Sequence, residues 1–292
     1  MNLPYKKGLL AFVLIALSLE AILFYVAKYN EKIEILRQEK INEQKVEILK
    51  NVPVLAKAVS VYDITLNKKI YGMNDKTSMP IASLVKIMTV LTALSEKNSE
   101  EVIVISKNAV DQFGDYGLYS QEKIKVGDLA KFTLVGSSND GAYALSEISP
   151  EFLKKMNEKA KRIGLQNSFF LSPTGLDENG EATSFASAED VNIMSQYAYR
   201  AYPDIFRATT LPEIKFISVS RFEHSIKNTY PTIEKNKNLL FFKTGNTDIA
   251  GGNLAIIFKN KEGHDIAVTV LGSTEKGRFE DMEKLVNVLS DS

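Results

Sequence analysis

A serine and two lysines stand at positions that suit nucleophilic acyl transfer. Ser83 and Lys86 are three residues apart at the start of an apolar run, and residues three apart lie on the same face of a helix. A serine hydroxyl needs a base within hydrogen-bond reach, and a lysine amine can act as that base only while it is neutral. Burial and a second cation, Lys243, would both disfavour the ammonium form. The pattern therefore predicts a serine nucleophile activated by a lysine.

Two further motifs, Ser137-x-Asn139 and Lys243-Thr244-Gly245, follow along the chain. Spacing alone is weak support, because S-x-x-K arises about once by chance in a chain of average composition and this length. Ser120 to Lys123 and Ser273 to Lys276 also fit it. Only Ser83 opens an apolar stretch that is long enough for a buried helix. The sequence context therefore selects Ser83.

The segment 79–89, Met-Pro-Ile-Ala-Ser-Leu-Val-Lys-Ile-Met-Thr, resembles the active-site segment of the D-alanyl-D-alanine carboxypeptidases, the low-mass penicillin-binding proteins. Residues 137–140 and 243–247 resemble the second and third motifs of that family, in the same order. Residues 173–177 and 187–190 resemble the segments between those motifs. The resemblance covers roughly Pro53 to Ser292.

The resemblance implies the α+β fold of β-lactamases and penicillin-binding proteins, in which helices flank an antiparallel sheet and a second lobe is all-helical. It also implies a serine peptidase that trims peptidoglycan stem peptides ending in D-Ala-D-Ala. β-Lactams would be its covalent inhibitors, and it would use no metal and no cofactor.

The same resemblance assigns roles to individual residues. Ser83 would attack the carbonyl between two D-alanines with Lys86 as base, and Ser137 would relay a proton to the departing amine. Asn139 would bind the amide of the substrate, and Lys243 would orient the relay serine. Thr244 and Arg278 would bind the terminal carboxylate. The Gly245-Asn246 backbone would bind the oxyanion together with the Ser83 N–H. Ser137 and Asn139 are also residue types that cap helices.

Three other functions are compared with this prediction. A DD-endopeptidase would use the same residues, and the sequence does not separate it from a carboxypeptidase. A class A β-lactamase needs an S-D-N motif and an acidic residue for deacylation; here position 138 is Ser, and no E-x-x-L-N stretch lies between Asn139 and Lys243. A catalytically silent wall-binding protein would not need the intact Ser83 and Lys86.

Composition excludes several other kinds of site. The 292 residues include no cysteine, which rules out disulfides, thiolate nucleophiles and cysteine-ligated metals. The two histidines, His224 and His264, form no metal-binding pattern such as H-E-x-x-H. The formal net charge is zero, and no basic stripe indicates a nucleic-acid partner.

The first fifty residues predict a membrane attachment. Gly8 to Ala27 is apolar, follows Lys6 and Lys7, and is long enough to cross a bilayer. We expect residues 1–7 in the cytoplasm, an anchor at 8–27, a charged helical stalk at 28–52 and a catalytic domain at 53–292. This arrangement places a single-pass protein in the bacterial cell membrane with its catalytic domain outside the cytoplasm. A cleaved secretory signal ending near Ser18 is the alternative.

Hydrophobic periodicity predicts helices and strands in the remaining chain. Helices are predicted at 83–94, 126–134, 140–148, 151–163, 188–201 and 279–289. Strands are predicted at 56–62, 69–73, 102–105, 213–219, 238–242, 253–258 and 265–271.

Overall fold

The structure is a computed structural model that describes residues 4–114, 116–230 and 237–290. Within the first helix the side chains of residues 4–11, 13–16, 21, 34, 35, 37–39 and 42 lie outside the description. The chain divides into two compact units, Met1–Asn51 and Val52–Ser292.

The first unit contains one long helix, α1 (Pro4–Asn51). It ends two residues before Pro53, because the residue that precedes a proline is disfavoured in the helical conformation. The helix predicted for the stalk lies within α1. Among the described residues no helix is long and apolar enough to cross a membrane. The anchor predicted at 8–27, which falls partly on side chains outside the description, is therefore not supported, and the division into anchor and stalk stays a prediction.

The second unit contains all the strands that the structure describes. They are β1 (Ala58–Asp63), β2 (Lys68–Met73), β3 (Met79–Pro80), β4 (Val102–Val104), β5 (Lys123–Lys125), β6 (Phe169–Phe170), β7 (Ser184–Ala186), β8 (Glu213–Ile217), β9 (Glu223–Lys227), β10 (Leu239–Thr247), β11 (Gly251–Lys259) and β12 (Asp265–Ser273).

The same unit contains the remaining described α-helices and two short 3-10 helices. The α-helices are α2 (Lys86–Glu96), α3 (Lys107–Val110), α4 (Val126–Val135), α5 (Asn139–Ser146), α6 (Phe152–Arg162), α7 (Ala188–Ala201), α8 (Pro203–Phe206) and α9 (Gly277–Ser290), and the 3-10 helices are Ala82–Val85 and Arg207–Thr210.

A five-stranded antiparallel sheet in the order β10-β11-β12-β1-β2 organises this unit. Alternate residues of a strand point to opposite faces, and both faces of β11 are buried. Ala255 and Ile257 belong to the main core, whereas Leu254 and Ile256 face the other side. The helices α7 and α9 both pack on β12. Because strands from both ends of the unit pair in one sheet, residues far apart in sequence meet there.

Helix α2 forms the centre of the helical lobe. Every residue from Lys86 to Leu94 is buried, and α4, α5 and α6 pack around it. Burial on all sides explains why this segment is apolar with little polar periodicity. The predicted α+β architecture, an antiparallel sheet flanked by helices together with a helical lobe, is confirmed.

Several predicted elements differ from the structure, and some short elements, among them β3, β6, β7, α3 and α8, were not predicted. The strand predicted at 238–242 continues through the Lys243-Thr244-Gly245 motif to Thr247. The short strands β5 and β9, which were not predicted, pair with β4 and β8. The helix predicted to begin at Ser83 begins instead at Lys86, because residues Ala82–Val85 form a 3-10 turn.

Candidate active site

Ser83 lies in the tight 3-10 turn that leads into α2. The Leu84 N–H donates to the Ile81 carbonyl at 3.2 Å, and a 3-10 helix has three residues per turn, so side chains three apart are superimposed along its axis. Lys86 follows Ser83 by three residues, and its Nζ lies 2.8 Å from Ser83 Oγ. The predicted contact between the two residues is therefore present in the structure.

The buried Lys86 amine contacts three oxygens. Besides Ser83 Oγ, its Nζ lies 2.8 Å from Asn139 Oδ1 and 2.6 Å from the Thr174 carbonyl. The Asn139 amide oxygen faces Lys86 because its Nδ2 donates to the Phe113 carbonyl at 2.8 Å. Neither of these two oxygens can donate a hydrogen bond. A neutral amine has two N–H groups, which these acceptors occupy, so its lone pair is left facing the Ser83 hydroxyl.

Burial favours the neutral form of this amine. Lys86 has no exposed surface, and desolvation lowers its pKa from the ordinary value to about 7, although the Asp140 carboxylate acts in the opposite direction. A lysine with a pKa near neutrality is unprotonated for a large part of the time at pH 7. The Ser83–Lys86 pair thus has both the geometry and the protonation state that nucleophilic attack requires.

The turn between α4 and α5 carries the second motif. Ser137 has a φ of +57°, a left-handed conformation that is uncommon for a residue with a side chain and often occurs at functional sites. Ser138 caps α5, since its Oγ accepts from the Gly141 N–H at 2.8 Å. Because Ser138 serves as the cap, the Ser137 and Asn139 side chains both remain available to contact the two lysines.

Lys243 lies on β10 and contacts Ser137. Its Nζ is 2.9 Å from Ser137 Oγ and 2.9 Å from the Thr244 carbonyl. The side chain is buried, and desolvation lowers its pKa well below the ordinary value, with the positive charges of Lys86 and Arg278 acting in the same direction. The sequence predicted that two neighbouring cations would disfavour each other's charged form, and the charge of Lys86 does contribute to the lowered pKa of Lys243.

Strand β10 passes directly beside the serine turn at Gly245. A Cβ atom at this position would lie 2.5 Å from the Ile81 carbonyl oxygen and 3.3 Å from the Ser83 nitrogen. Only glycine permits so close an approach of two backbones. The next residue, Asn246, is exposed and pairs with Gly252 on β11. The backbone of the motif therefore lines the same site as Ser83.

Arg278, at the start of α9, contacts this strand. Its Nη1 donates to the Gly245 carbonyl at 2.8 Å, and the guanidinium lies over the Phe279 ring, 4.8 Å from the centroid. The residue is 8% exposed, and its Nε has no hydrogen-bond partner within the described part of the chain. Arg278 thus adds positive charge close to the motif and contacts its backbone. It is not an exposed surface arginine.

Sequence reasoning missed two backbone contributions to the site. The Phe113 and Thr174 carbonyls fix Asn139 and Lys86, and no side-chain pattern signals a carbonyl contact. Gly175, which follows Thr174, has a φ of +75°, and a Cβ there would lie 2.2 Å from the Ala82 carbonyl oxygen. The resemblance had marked residues 173–177, and the structure shows that this segment packs under the serine turn.

Comparison with known sequences agrees with this geometry. A family model described as D-alanyl-D-alanine carboxypeptidase matches residues 44–275. D-alanyl-D-alanine carboxypeptidase DacF of Bacillus subtilis is 28% identical over 251 residues, which cover 80% of this chain and 61% of the relative. A D-alanyl-D-alanine endopeptidase of Haemophilus influenzae is 30% identical over 215 residues, 71% of this chain and 72% of that one. The chain thus spans less than two thirds of the length of the first of these relatives.

Solved structures with the same fold include two from other bacteria. Penicillin-binding protein D2 of Listeria monocytogenes, solved in a cefotaxime-bound form, has a TM-score of 0.70 and is 27% identical, with 81% of this chain and 98% of that chain covered. A D-alanyl-D-alanine carboxypeptidase of Mycobacterium tuberculosis has a TM-score of 0.73 at 21% identity, with coverage of 82% and 94%. The second similarity concerns the fold alone.

Proposed function

Because the chain belongs to the D-alanyl-D-alanine carboxypeptidase family, we propose that the protein is a serine-type D-Ala-D-Ala carboxypeptidase that trims peptidoglycan stem peptides. The observation that carries the proposal is the buried Lys86 amine, 2.8 Å from Ser83 Oγ, with its two N–H groups directed to fixed acceptors. β-Lactams would acylate the same serine, as the cefotaxime-bound relative suggests.

The reaction proceeds in two steps. Lys86 takes the proton of Ser83 Oγ as this oxygen attacks the carbonyl between the two D-alanines, and the N–H groups of Ser83 and Asn246 stabilise the resulting oxyanion. Ser137, whose Oγ lies 2.9 Å from Lys243 Nζ, relays the proton held by Lys86 to the departing amine of D-alanine, which leaves Lys86 neutral again and Ser137 protonated. Water then hydrolyses the acyl-enzyme and releases Ser83.

The substrate is held on both sides of the scissile bond. Asn139 binds the peptide amide through its side chain, which is already oriented by Phe113 and Lys86. The Thr244 hydroxyl donates to the terminal carboxylate. Arg278, which contacts the Gly245 carbonyl, supplies positive charge at this end of the site, and such charge favours an anionic group.

A direct test uses the full chain in detergent with a stem pentapeptide that ends in D-Ala-D-Ala. We expect release of free D-alanine and covalent labelling by a fluorescent penicillin, with mass spectrometry placing the adduct on the peptide that contains Ser83. Absence of both reactions, or an adduct on another residue, would contradict the proposal.

A DD-endopeptidase is the second candidate, because relatives that carry this name are as similar to the chain as those named carboxypeptidase. The two activities are compared by incubating the protein with the pentapeptide and with a crosslinked dimer of stem peptides. Faster loss of the dimer than release of D-alanine from the pentapeptide would favour the endopeptidase.

Acylation should depend on pH with a midpoint near 7. The Lys86 pKa is lowered to about 7, and the amine acts as a base only when it is unprotonated, so the second-order rate of penicillin acylation should rise as pH increases through this value. Measuring the rate from pH 5 to pH 9 checks the expectation. A rate that is flat across pH 7, or one that falls as pH increases, would contradict Lys86 as the base.

The location of the protein stays a proposal that depends on the apolar sequence of Gly8 to Ala27. If this segment anchors the chain, carbonate washing leaves the protein in the membrane fraction, and protease added outside spheroplasts removes the catalytic domain. Release by carbonate, or a mature amino terminus that begins after Ser18, would reject the anchor.

A further inference from the structure

A hydroxyl outside the three motifs contacts the third motif. Thr229 Oγ1 lies 2.8 Å from Thr244 Oγ1, in the short segment 228–230 that follows β9. Thr229 is half-buried, and Thr244 is buried. Sequence spacing gives no reason to expect this contact, because Thr229 belongs to no motif.

The segment that carries Thr229 is fixed by hydrogen bonds on one side. The Asn228 side-chain amide donates to the Thr209 carbonyl at 2.7 Å and to the Leu211 carbonyl at 2.9 Å. Its amide oxygen accepts from the Tyr230 N–H at 3.1 Å. Three of the four hydrogen-bonding capacities of an asparagine side chain are thus used to hold this short segment.

Aromatic stacking fixes the other side of the segment. The Tyr230 ring stacks on Phe242 with centroids 5.3 Å apart and on Phe279 with centroids 4.9 Å apart. Phe242 is the residue before Lys243, and Phe279 follows Arg278. Since Thr229 stands between these two anchored neighbours, its hydroxyl is held in place before any substrate binds, which avoids the entropic cost of ordering it.

We propose that Thr229 is a positioning residue that directs the Thr244 hydroxyl proton to the terminal carboxylate of the substrate. Each hydroxyl has one proton, and a carboxylate only accepts, so binding requires the order Thr229 O–H to Thr244 oxygen and Thr244 O–H to carboxylate. Hydrogen bonds in such a chain strengthen one another. This inference rests on the proposed function. It extends that function by naming a residue that selects substrates with a free carboxylate.

The experiment compares two thioesters of one acyl-D-alanine in the full chain. One has mercaptoacetate as leaving group and keeps a carboxylate at the substrate terminus; the other has 2-methylpropane-1-thiol, an apolar group of similar shape. Released thiol is measured with a thiol reagent, to which the protein contributes no background because it has no cysteine.

In Thr229→Val, kcat/KM for the mercaptoacetate ester should fall about 5- to 10-fold, mainly through KM, the size expected for loss of one hydrogen bond close to a charged group. The apolar thioester should change less than about twofold by the same reasoning. Thr229→Ser, which keeps the hydroxyl, should restore the wild-type ratio of the two substrates.

Equal losses on both thioesters would mean that Thr229 only supports local packing. No loss on the mercaptoacetate ester would mean that Thr229 does not act on the carboxylate. Either result overturns the inference. These outcomes are distinct from failure of the proposed function, which would appear as absence of thioester turnover and of penicillin labelling in the wild-type chain and would remove this inference with it.

Discussion

Ser83→Ala should abolish both penicillin labelling and release of D-alanine. Loss of a serine nucleophile lowers the turnover rate by about 10⁶-fold in a comparable serine peptidase. In the structure no other hydroxyl of the described residues replaces it, because the remaining Lys86 contacts are the Asn139 amide oxygen and the Thr174 carbonyl. Ser137 is oriented toward Lys243 instead. The measurement is a denaturing gel after incubation with fluorescent penicillin, together with an assay of free D-alanine.

The chain itself provides a matched control for this variant. Ser120 and Lys123 have the same S-x-x-K spacing, but Ser120 is exposed and lies outside any helix. Ser120→Ala should therefore label at the wild-type rate. If labelling survives Ser83→Ala, or is lost in Ser120→Ala, the nucleophile has been assigned to the wrong serine.

Lys86→Met should leave Ser83 in place but lower acylation about 10²- to 10⁴-fold, the usual contribution of a general base. Methionine is an unbranched, flexible side chain that can follow the buried stem of the lysine, so the variant should fold. The residual rate should also lose its rise near pH 7. Lys123→Met, a change in an exposed lysine of the second S-x-x-K motif, serves as the control and should retain the wild-type profile.

Stability gives an independent measurement on the same variant. The folded-state pKa of Lys86, about 7, lies below its unfolded value near 10.4, so between these values the unfolded chain binds a proton that the folded chain does not. The wild-type free energy of unfolding should therefore rise with pH across this window, by up to about 1.4 kcal/mol per pH unit from this residue. The contribution is complete above the unfolded pKa and is lost as pH falls to the folded pKa. An equal slope in Lys86→Met would show that the amine is not held neutral in the wild type.

The Ser83–Lys86 contact could be predicted from the sequence because it is local. Residues three apart meet on any helical turn, whether α or 3-10, and the apolar run after Ser83 showed which S-x-x-K would be buried. The main helices and the long strands of the sheet could be predicted for the same reason, since their hydrophobic periodicity reflects which face each element buries. The short strands β5 and β9 gave no such pattern, because each has a single apolar residue, Ile124 and Ile226, although burial alternates along β9.

The remaining part of the site was decided by tertiary structure. Asn139 is 53 residues from Lys86 and Thr174 is 88, while Lys243 is 106 residues from Ser137. Motif order predicted that these side chains belong together, but not which oxygen faces which amine, because the packing of α2 against α5 and of β10 against the serine turn sets those distances. The lowered pKa of Lys86 depends on complete burial, and the Thr229 contact depends on two ring-stacking contacts of Tyr230 and on the Asn228 side chain. Both are products of long-range packing, and residue spacing along the chain carries no information on either.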